Sequence, residues 1–268
     1  MHRKVHLFYF GMIKIGDVLR IVERVVPEAL AEEWDNPGLQ VGSLDRSATG
    51  IILSLDADIA MFDKAREVGA NIAITHHPLF FNPIKRLNLE TPAGRIIERA
   101  VTDKMTLYSA HTNLDVMNGG VNDTLADRVG LLNKRPFANM GRIGEVASIE
   151  TLESIAVRMK SDFSLPHVSI VGDLMRRITR IAVCGGSGGS LVKDAAENGA
   201  DLLITGDVKY HAAKDAELYG IAVMDIGHFA SESIVLPVLA AIIKEALGKE
   251  GIDIGLHIHW GRDPLRVC

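Results

Sequence analysis

Cysteine is scarce in this 268-residue chain. The two present, Cys184 after a hydrophobic run and Cys268 at the end, make neither a disulfide framework nor a thiolate metal site, and suit a reducing cytoplasm. Long apolar runs are missing as well: none reaches the roughly 18 uncharged residues of a membrane span, so no membrane partner is expected. No block of consecutive basic residues occurs, and Lys+Arg 29 against Asp+Glu 34 gives a net charge of -5, which argues against nucleic acid as a partner. The opening MHRKVHLFYFGMI has a basic end and a short apolar stretch but no small-residue cleavage site, so no signal peptide is expected. Helical apolar spacing starts directly after Met12, which is therefore expected to be the biological start.

What is present is an ordinary globular composition, 47% hydrophobic and 24% charged with Gly 25 and Pro 9. At this length a single core grows inefficiently, so two lobes sharing an interface are expected. An internal repeat supports that division. The run IILSLDADIAMFDKAREVGANIAITHH from Ile51 lies over IAVCGGSGGSLVKDAAENGADLLITGD from Ile181 at a constant offset of 130. Each copy reads strand, turn, helix closed by a glycine (Gly69, Gly199), then a second strand (Ile72–Thr75, Leu202–Thr205). A third apolar run follows in each, Met105–Ala110 and Ile221–Ile226. Alternating strands and helices imply right-handed crossovers and mostly parallel sheets. The expected fold class is therefore α/β: two similar α/β lobes with mostly parallel or mixed sheets flanked by helices, at residues 12–135 and 176–268, joined by a connector at 136–175. In such sheets ligands bind beyond the carboxyl ends of the strands, so loops of both lobes are expected to face one cleft.

Polar residues suited to a site cluster at those strand ends. His76 and His77 leave the strand Ile72–Ile74 side by side, an arrangement awkward for one ion and suited to two. The stretch His111-Thr112-Asn113-Leu114-Asp115 brings a carboxylate able to bridge two cations. In Gly227-His228-Phe229-Ala230-Ser231-Glu232 the four-residue step puts imidazole and carboxylate on one face if a helix has begun, although Pro237 weakens that geometry. Each piece has a plain structural alternative: a solvated loop for the histidine pair, a turn at Asp115, a helix start at Glu232. Together, three imidazoles and two carboxylates form a mixed donor set for two divalent ions per subunit, zinc, iron, manganese or nickel alike.

Other features carry less. The run Gly185–Ser190 lacks the Gly-Lys-Ser/Thr ending of a phosphate loop, so turn packing is favoured over anion binding. Asp207, Lys209 and His211 occupy the repeat position of the histidine pair and read equally well as a helix start with solvated side chains or as a substrate lining. His257 and His259 share one face of a terminal strand. Turn chemistry explains Asn36, Pro37 and Gly38 but not a tryptophan beside an acid at Trp34-Asp35, which leaves cleft lining open.

The segments EWDNPGLQVG (Glu33–Gly42), THHP from Thr75, Leu114-Asp115, ITGDVKYH from Ile204 and GHFASE from Gly227, in this order, resemble the YbgI-type family, the GTP cyclohydrolase 1 type 2 homologues. The likeness runs from about residue 13 to the end. It implies a dinuclear metal centre held by His76, His77, Asp115, His228 and Glu232, with Asp115 or Glu232 bridging, and assembly into a homohexamer. Larger members carry a mid-chain insert for which this sequence is too short. Two functions from different classes follow as expectations. One is a cytoplasmic metal-dependent hydrolase of a small molecule, opening the ring of a GTP-type base or cleaving a nucleotide phosphoester. The other is a metal-binding or scaffold protein without turnover.

Overall fold

The computed structural model describes residues 13–266. The expectation for Met12, together with His2, His6 and Cys268, lies outside them. The chain runs through α1 (Ile15–Val25), β1 (Gly38–Val41), β2 (Gly50–Ser54), α2 (Ile59–Val68), β3 (Ile72–Thr75), α3 (Pro92–Thr102), β4 (Thr106–Ser109), α4 (Thr112–Val116), α5 (Val121–Val129), β5 (Leu132–Phe137) and β6 (Gly141–Thr151). It continues through α6 (Leu152–Asp162), β7 (Ser169–Val171), β8 (Arg177–Val183), α7 (Val192–Glu197), β9 (Leu202–Thr205), α8 (Tyr210–Tyr219), β10 (Ala222–Asp225), α9 (His228–Ser233), α10 (Val235–Lys249) and β11 (Gly255–Ile258).

Local chemistry sets many of these boundaries. Asp58 caps α2 by accepting from the Met61 N–H, and Gly69 closes it in the left-handed conformation. Thr91 caps α3, whose first residue is Pro92, where the missing N–H costs nothing. Pro237 likewise falls in the first turn of α10, so it neither kinks that helix nor disturbs α9 before it.

Two mixed sheets result, ordered β1-β4-β3-β2-β11 and β5-β6-β8-β9-β10-β7. The repeat is real at this level: β2, β3 and β4 run parallel in the first sheet, as do β8, β9 and β10 in the second. Both faces of each sheet are covered. One face of the first sheet packs Ile51, Leu53, Ile72 and Ile74 against Val18 and Val22 of α1 and Leu239 and Ile243 of α10; the other packs Ile52 and Leu107 against Phe62 of α2 and Ile96 of α3. In the second sheet Ile181, Leu202 and Met224 face α5 and α6, while Ala182, Leu203 and Val223 face α7 and α8. Burial on both faces is why these strands are unbroken apolar runs rather than alternating ones.

Strand pairing departs from the expected division at 12–135, 136–175 and 176–268. The stretch read as a connector supplies β6, β7 and the end of β5 to the second sheet: β6 pairs with β8, β5 with β6, and β7 with the far edge at β10. The chain end goes the other way, with β11 alongside β2 and α10 in the core of the first lobe. The cause is physical: without β7 and β11, β10 and β2 would be edge strands with a row of unpaired backbone groups. Among the described residues no helix is long and apolar enough to cross a membrane.

Candidate metal centre

The carboxyl ends of the two parallel strand sets meet, and the polar residues at their ends converge. His76 and His77 leave β3, His111 leaves β4 and begins α4 with Asp115 one turn on, and His228 begins α9 with Glu232 one turn on. The rings of His77 and His228, from different sheets, stand 5.2 Å apart, and those of His76 and His77 5.0 Å. Glu232 Oε2 lies 3.0 Å from His77 Nε2 and 3.1 Å from His228 Nε2, while Oε1 is 3.6 Å from His76 Nε2. Asp115 Oδ1 is 3.6 Å from the same His76 nitrogen. All five residues singled out from the sequence are therefore brought together.

A sixth joins them. His111 forms one potential metal group with His76 and His77, and His77, His228 and Glu232 form a second; the donor atoms within each group lie within 4.8 Å of one another. Sequence reasoning quoted His111 without assigning it a role. The signal was in the repeat: His111-x-x-x-Asp115 and His228-x-x-x-Glu232 are the same pattern at the end of the third strand in each lobe.

Each imidazole is oriented from behind. Nδ1 of His76 contacts the Ala110 carbonyl at 2.9 Å, that of His77 contacts Asp56 at 2.9 Å, that of His111 contacts Asp35 at 2.8 Å and that of His228 contacts Asp207 at 2.7 Å. An acceptor at Nδ1 fixes the proton there and leaves the Nε2 lone pair facing inward, the arrangement that steadies metal-ligating histidines. The interior side is left unsatisfied: His76 Nε2, Asp115 Oδ1 and Glu232 Oε2 are buried without a hydrogen-bond partner. Orphaned polar atoms on three neighbouring side chains, with His76 Nε2 3.6 Å from both carboxylates, fit a bound cation.

Electrostatics agree. Burial alone would depress the His77 imidazolium, but the carboxylates of Asp56 and Glu232 beside it push its pKa up to about 10. The Glu232 contact, opposed by burial, raises His228 to about 9. Burial lifts Asp115 to about 6 against the pull of His76. Burial would also raise Glu232, yet the imidazoles of His76, His228 and His77 hold it well below the carboxylate range. Without metal, protons on the histidines balance this buried charge.

The surrounding backbone is shaped to the cluster. A Cβ on Gly186 would sit 2.3 Å from Glu232 Oε1, and one on Gly206 2.6 Å from the His228 backbone nitrogen, so both turns need glycine to pack against α9 within the second lobe. The Gly185–Ser190 run is indeed turn packing: the N–H groups of Gly185, Gly186 and Gly188 donate to Asn122, Ser231 and Thr205, leaving those donors unavailable to an anion. Asn122 also donates to the Asp115 carbonyl, tying the two lobes together. Asp207 proves to be the support of His228, whereas Lys209, His211, His257 and His259 belong to neither metal group. Asp35 supports His111 and also accepts from Thr112 N and Oγ1, which explains the acid beside Trp34.

The family model for DUF34/NIF3 (NGG1p interacting factor 3) matches residues 13–260. A Clostridium perfringens protein named GTP cyclohydrolase 1 type 2 homolog is 37% identical over 246 residues, covering 89% of this chain and 94% of its own length. The crystal structure of a Staphylococcus aureus hypothetical protein superposes with a TM-score of 0.89 at 30% identity, covering 96% of this chain and all of the other. The protein ybgI, at 22% identity and a TM-score of 0.80 over 92% of this chain and 97% of its own, shares the fold. The chain belongs to the DUF34/NIF3 family.

Proposed function

We propose that this chain is a cytoplasmic, homohexameric, metal-dependent hydrolase of a small, nucleotide-type molecule. Two divalent ions, zinc, iron, manganese or nickel, would be held between the lobes by His76, His77, Asp115, His228 and Glu232, with His111 as a sixth donor. The observation that carries this reading is the convergence of inward-facing Nε2 atoms and orphaned carboxylate oxygens from both sheets at one point. Such ions, when bound, ionise water near neutral pH and stabilise negative charge developing on a substrate oxygen. The chain's own part is to hold the donors rigid: carboxylates of Asp35, Asp56 and Asp207 lock three imidazoles in the required tautomer, and Asn122 fixes one lobe against the other. The name of the clostridial relative supports ring-opening of a GTP-type base as one candidate reaction; a nucleotide phosphoester is the other.

The test is a turnover screen of purified, metal-loaded protein against GTP, other nucleotides and phosphodiesters. Turnover of at least one, lost on chelation, is expected. Retained ions without turnover of any would leave the metal-binding scaffold reading in its place.

The supports behind the ligands give a graded prediction. Asp56→Ala and Asp207→Ala should each weaken metal binding by roughly 10–100-fold without unfolding the protein, the usual cost of losing a partner behind a metal-ligating histidine. Competition against a chromogenic chelator measures this; unchanged affinity in both variants would contradict the assigned roles.

Metal-free protein should also show an unusual pH profile. The folded-state values of His77 and His228, about 10 and about 9, exceed the unfolded value of 6.5. Their stabilising contribution is therefore complete below about pH 6.5 and is lost as pH rises through about 9 to 10. Metal needs the unprotonated rings, so its stabilisation grows over the same interval. Thermal unfolding of stripped and zinc-loaded protein should diverge as pH rises; parallel curves would refute the charge balance described above.

A further inference from the structure

Two large aromatic side chains stand exposed where burial would be favoured. Trp34 is 59% and Phe81 51% accessible, and both face the rim of the histidine cluster. The Trp34 ring lies 6.0 Å from that of His111 at an interplanar angle of 79°, and the Phe81 ring 5.5 Å from it at 83°. They come from loops far apart in the chain, one preceding β1 and the other following His77. The loops are fastened into one wall: Asn36 Nδ2 donates to the Phe80 carbonyl at 2.7 Å, and the Phe80 N–H donates to Gln40 Oε1 at 3.3 Å. Behind Trp34, the Glu32 N–H donates to Thr112 Oγ1 while the Asp35 carboxylate holds His111 and Thr112. The backbone on both sides of the rings is thus fixed while the rings themselves face water.

We infer that Trp34 and Phe81 form a stacking wall for a planar heteroaromatic ring at the mouth of the metal centre. This rests on the proposed function and deepens it by naming the side chains that would take the substrate's ring. An apolar surface held against solvent beside a polar cluster fits a ligand that is apolar on its faces and polar at its edge. An aliphatic chain matches the wall but not the histidines; a bare phosphate ester matches the histidines but not the wall. A nucleobase-like ring matches both, its face on the aromatics and its heteroatom edge toward the donors. Stacking of this kind is sequence-tolerant among bases because each has a π-face, and losing one aromatic platform weakens binding by roughly tenfold to a hundredfold.

The protein offers its own probe, since its two tryptophans are Trp34 and Trp260. In metal-loaded Trp260→Phe protein, guanosine and adenosine nucleotides should quench Trp34 emission saturably, whereas ribose 5-phosphate and inorganic triphosphate should not. Phe81→Tyr should keep this affinity, while Phe81→Leu should lower it at least about tenfold with metal content unchanged. Trp34→Ala, followed by calorimetry, should show a like loss. Equal quenching by the ring-free phosphates, equal affinity in Phe81→Leu and Phe81→Tyr, or a loss of metal that accounts for the whole effect would each overturn the inference. Quenching that follows protein concentration rather than ligand would do so too, by marking the wall as a self-association surface. The readout is binding, so ring binding without turnover would sink the hydrolase reading alone, and turnover indifferent to both aromatics would sink the stacking wall alone.

Discussion

Glu232→Ala is expected to bring metal content to background for both ions and to abolish any hydrolysis with it. Glu232 is the carboxylate that touches histidines of both lobes, with oxygens 3.0 Å from His77 Nε2, 3.1 Å from His228 Nε2 and 3.6 Å from His76 Nε2. Its removal would take away the carboxylate set against histidines of both lobes and leave buried imidazoles without a counter-charge. The effect should exceed the roughly 10–100-fold cost of losing an outer partner, because in the proposed centre the lost atoms would themselves be donors. Elemental analysis after dialysis measures the loss, and circular dichroism separates it from unfolding. Two ions retained in a folded variant would contradict the assignment.

Arg142→Met should cost roughly 3–5 kcal/mol of stability, because it strands a paired charge away from water. Arg142 is buried; its Nε donates to Asp123 Oδ1 at 2.7 Å and its Nη2 to the Val116 carbonyl at 2.8 Å. The first contact joins β6 to α5, and the second secures the end of α4, the short helix that carries Asp115. Lys134 Nζ, 3.7 Å from the Asp123 carboxylate and partly solvated, offers weak compensation. Denaturant unfolding of metal-free protein gives the value directly. A loss below about 1 kcal/mol, the range of an exposed pair, would show that the ion pair is not structural.

What could be read from the sequence was what local chemistry determines. The expected ranges for β3 and β9 coincide with those found, and α2 is closed at the expected Gly69, because an unbroken apolar run, an Asp58 cap and a left-handed glycine act within a few residues of each other. Two-face burial made the parallel strands legible, and the repeat put their carboxyl ends on one rim. Pairings between distant segments were not legible. β11 joins β2, about two hundred residues earlier, through backbone hydrogen bonds that leave no local mark. β6 contains Gly141 and Gly144 among polar residues and slips register between Glu145 and Glu150, so it carries no clean period-two signal.

The site followed the same division. Donor residues at strand ends announced themselves by type, and His76, His77, Asp115, His228 and Glu232 meet as a group. The carboxylates behind them did not, because an aspartate that orients an imidazole looks like any loop aspartate until the fold brings the two together. From sequence alone Asp207 reads equally well as a helix start or a substrate lining, and Asp35 is the unexplained neighbour of a tryptophan. His111 was recoverable by laying its pairing with Asp115 over that of His228 with Glu232.

The most direct test of the central claim is anomalous diffraction at the zinc, nickel, iron and manganese edges from crystals of protein purified without added metal. Two anomalous peaks per chain are expected between the lobes, each about 2.0–2.2 Å from Nε2 or carboxylate atoms drawn from His76, His77, His111, Asp115, His228 and Glu232. Peaks elsewhere on the molecule, or none in protein shown by elemental analysis to carry metal, would contradict it.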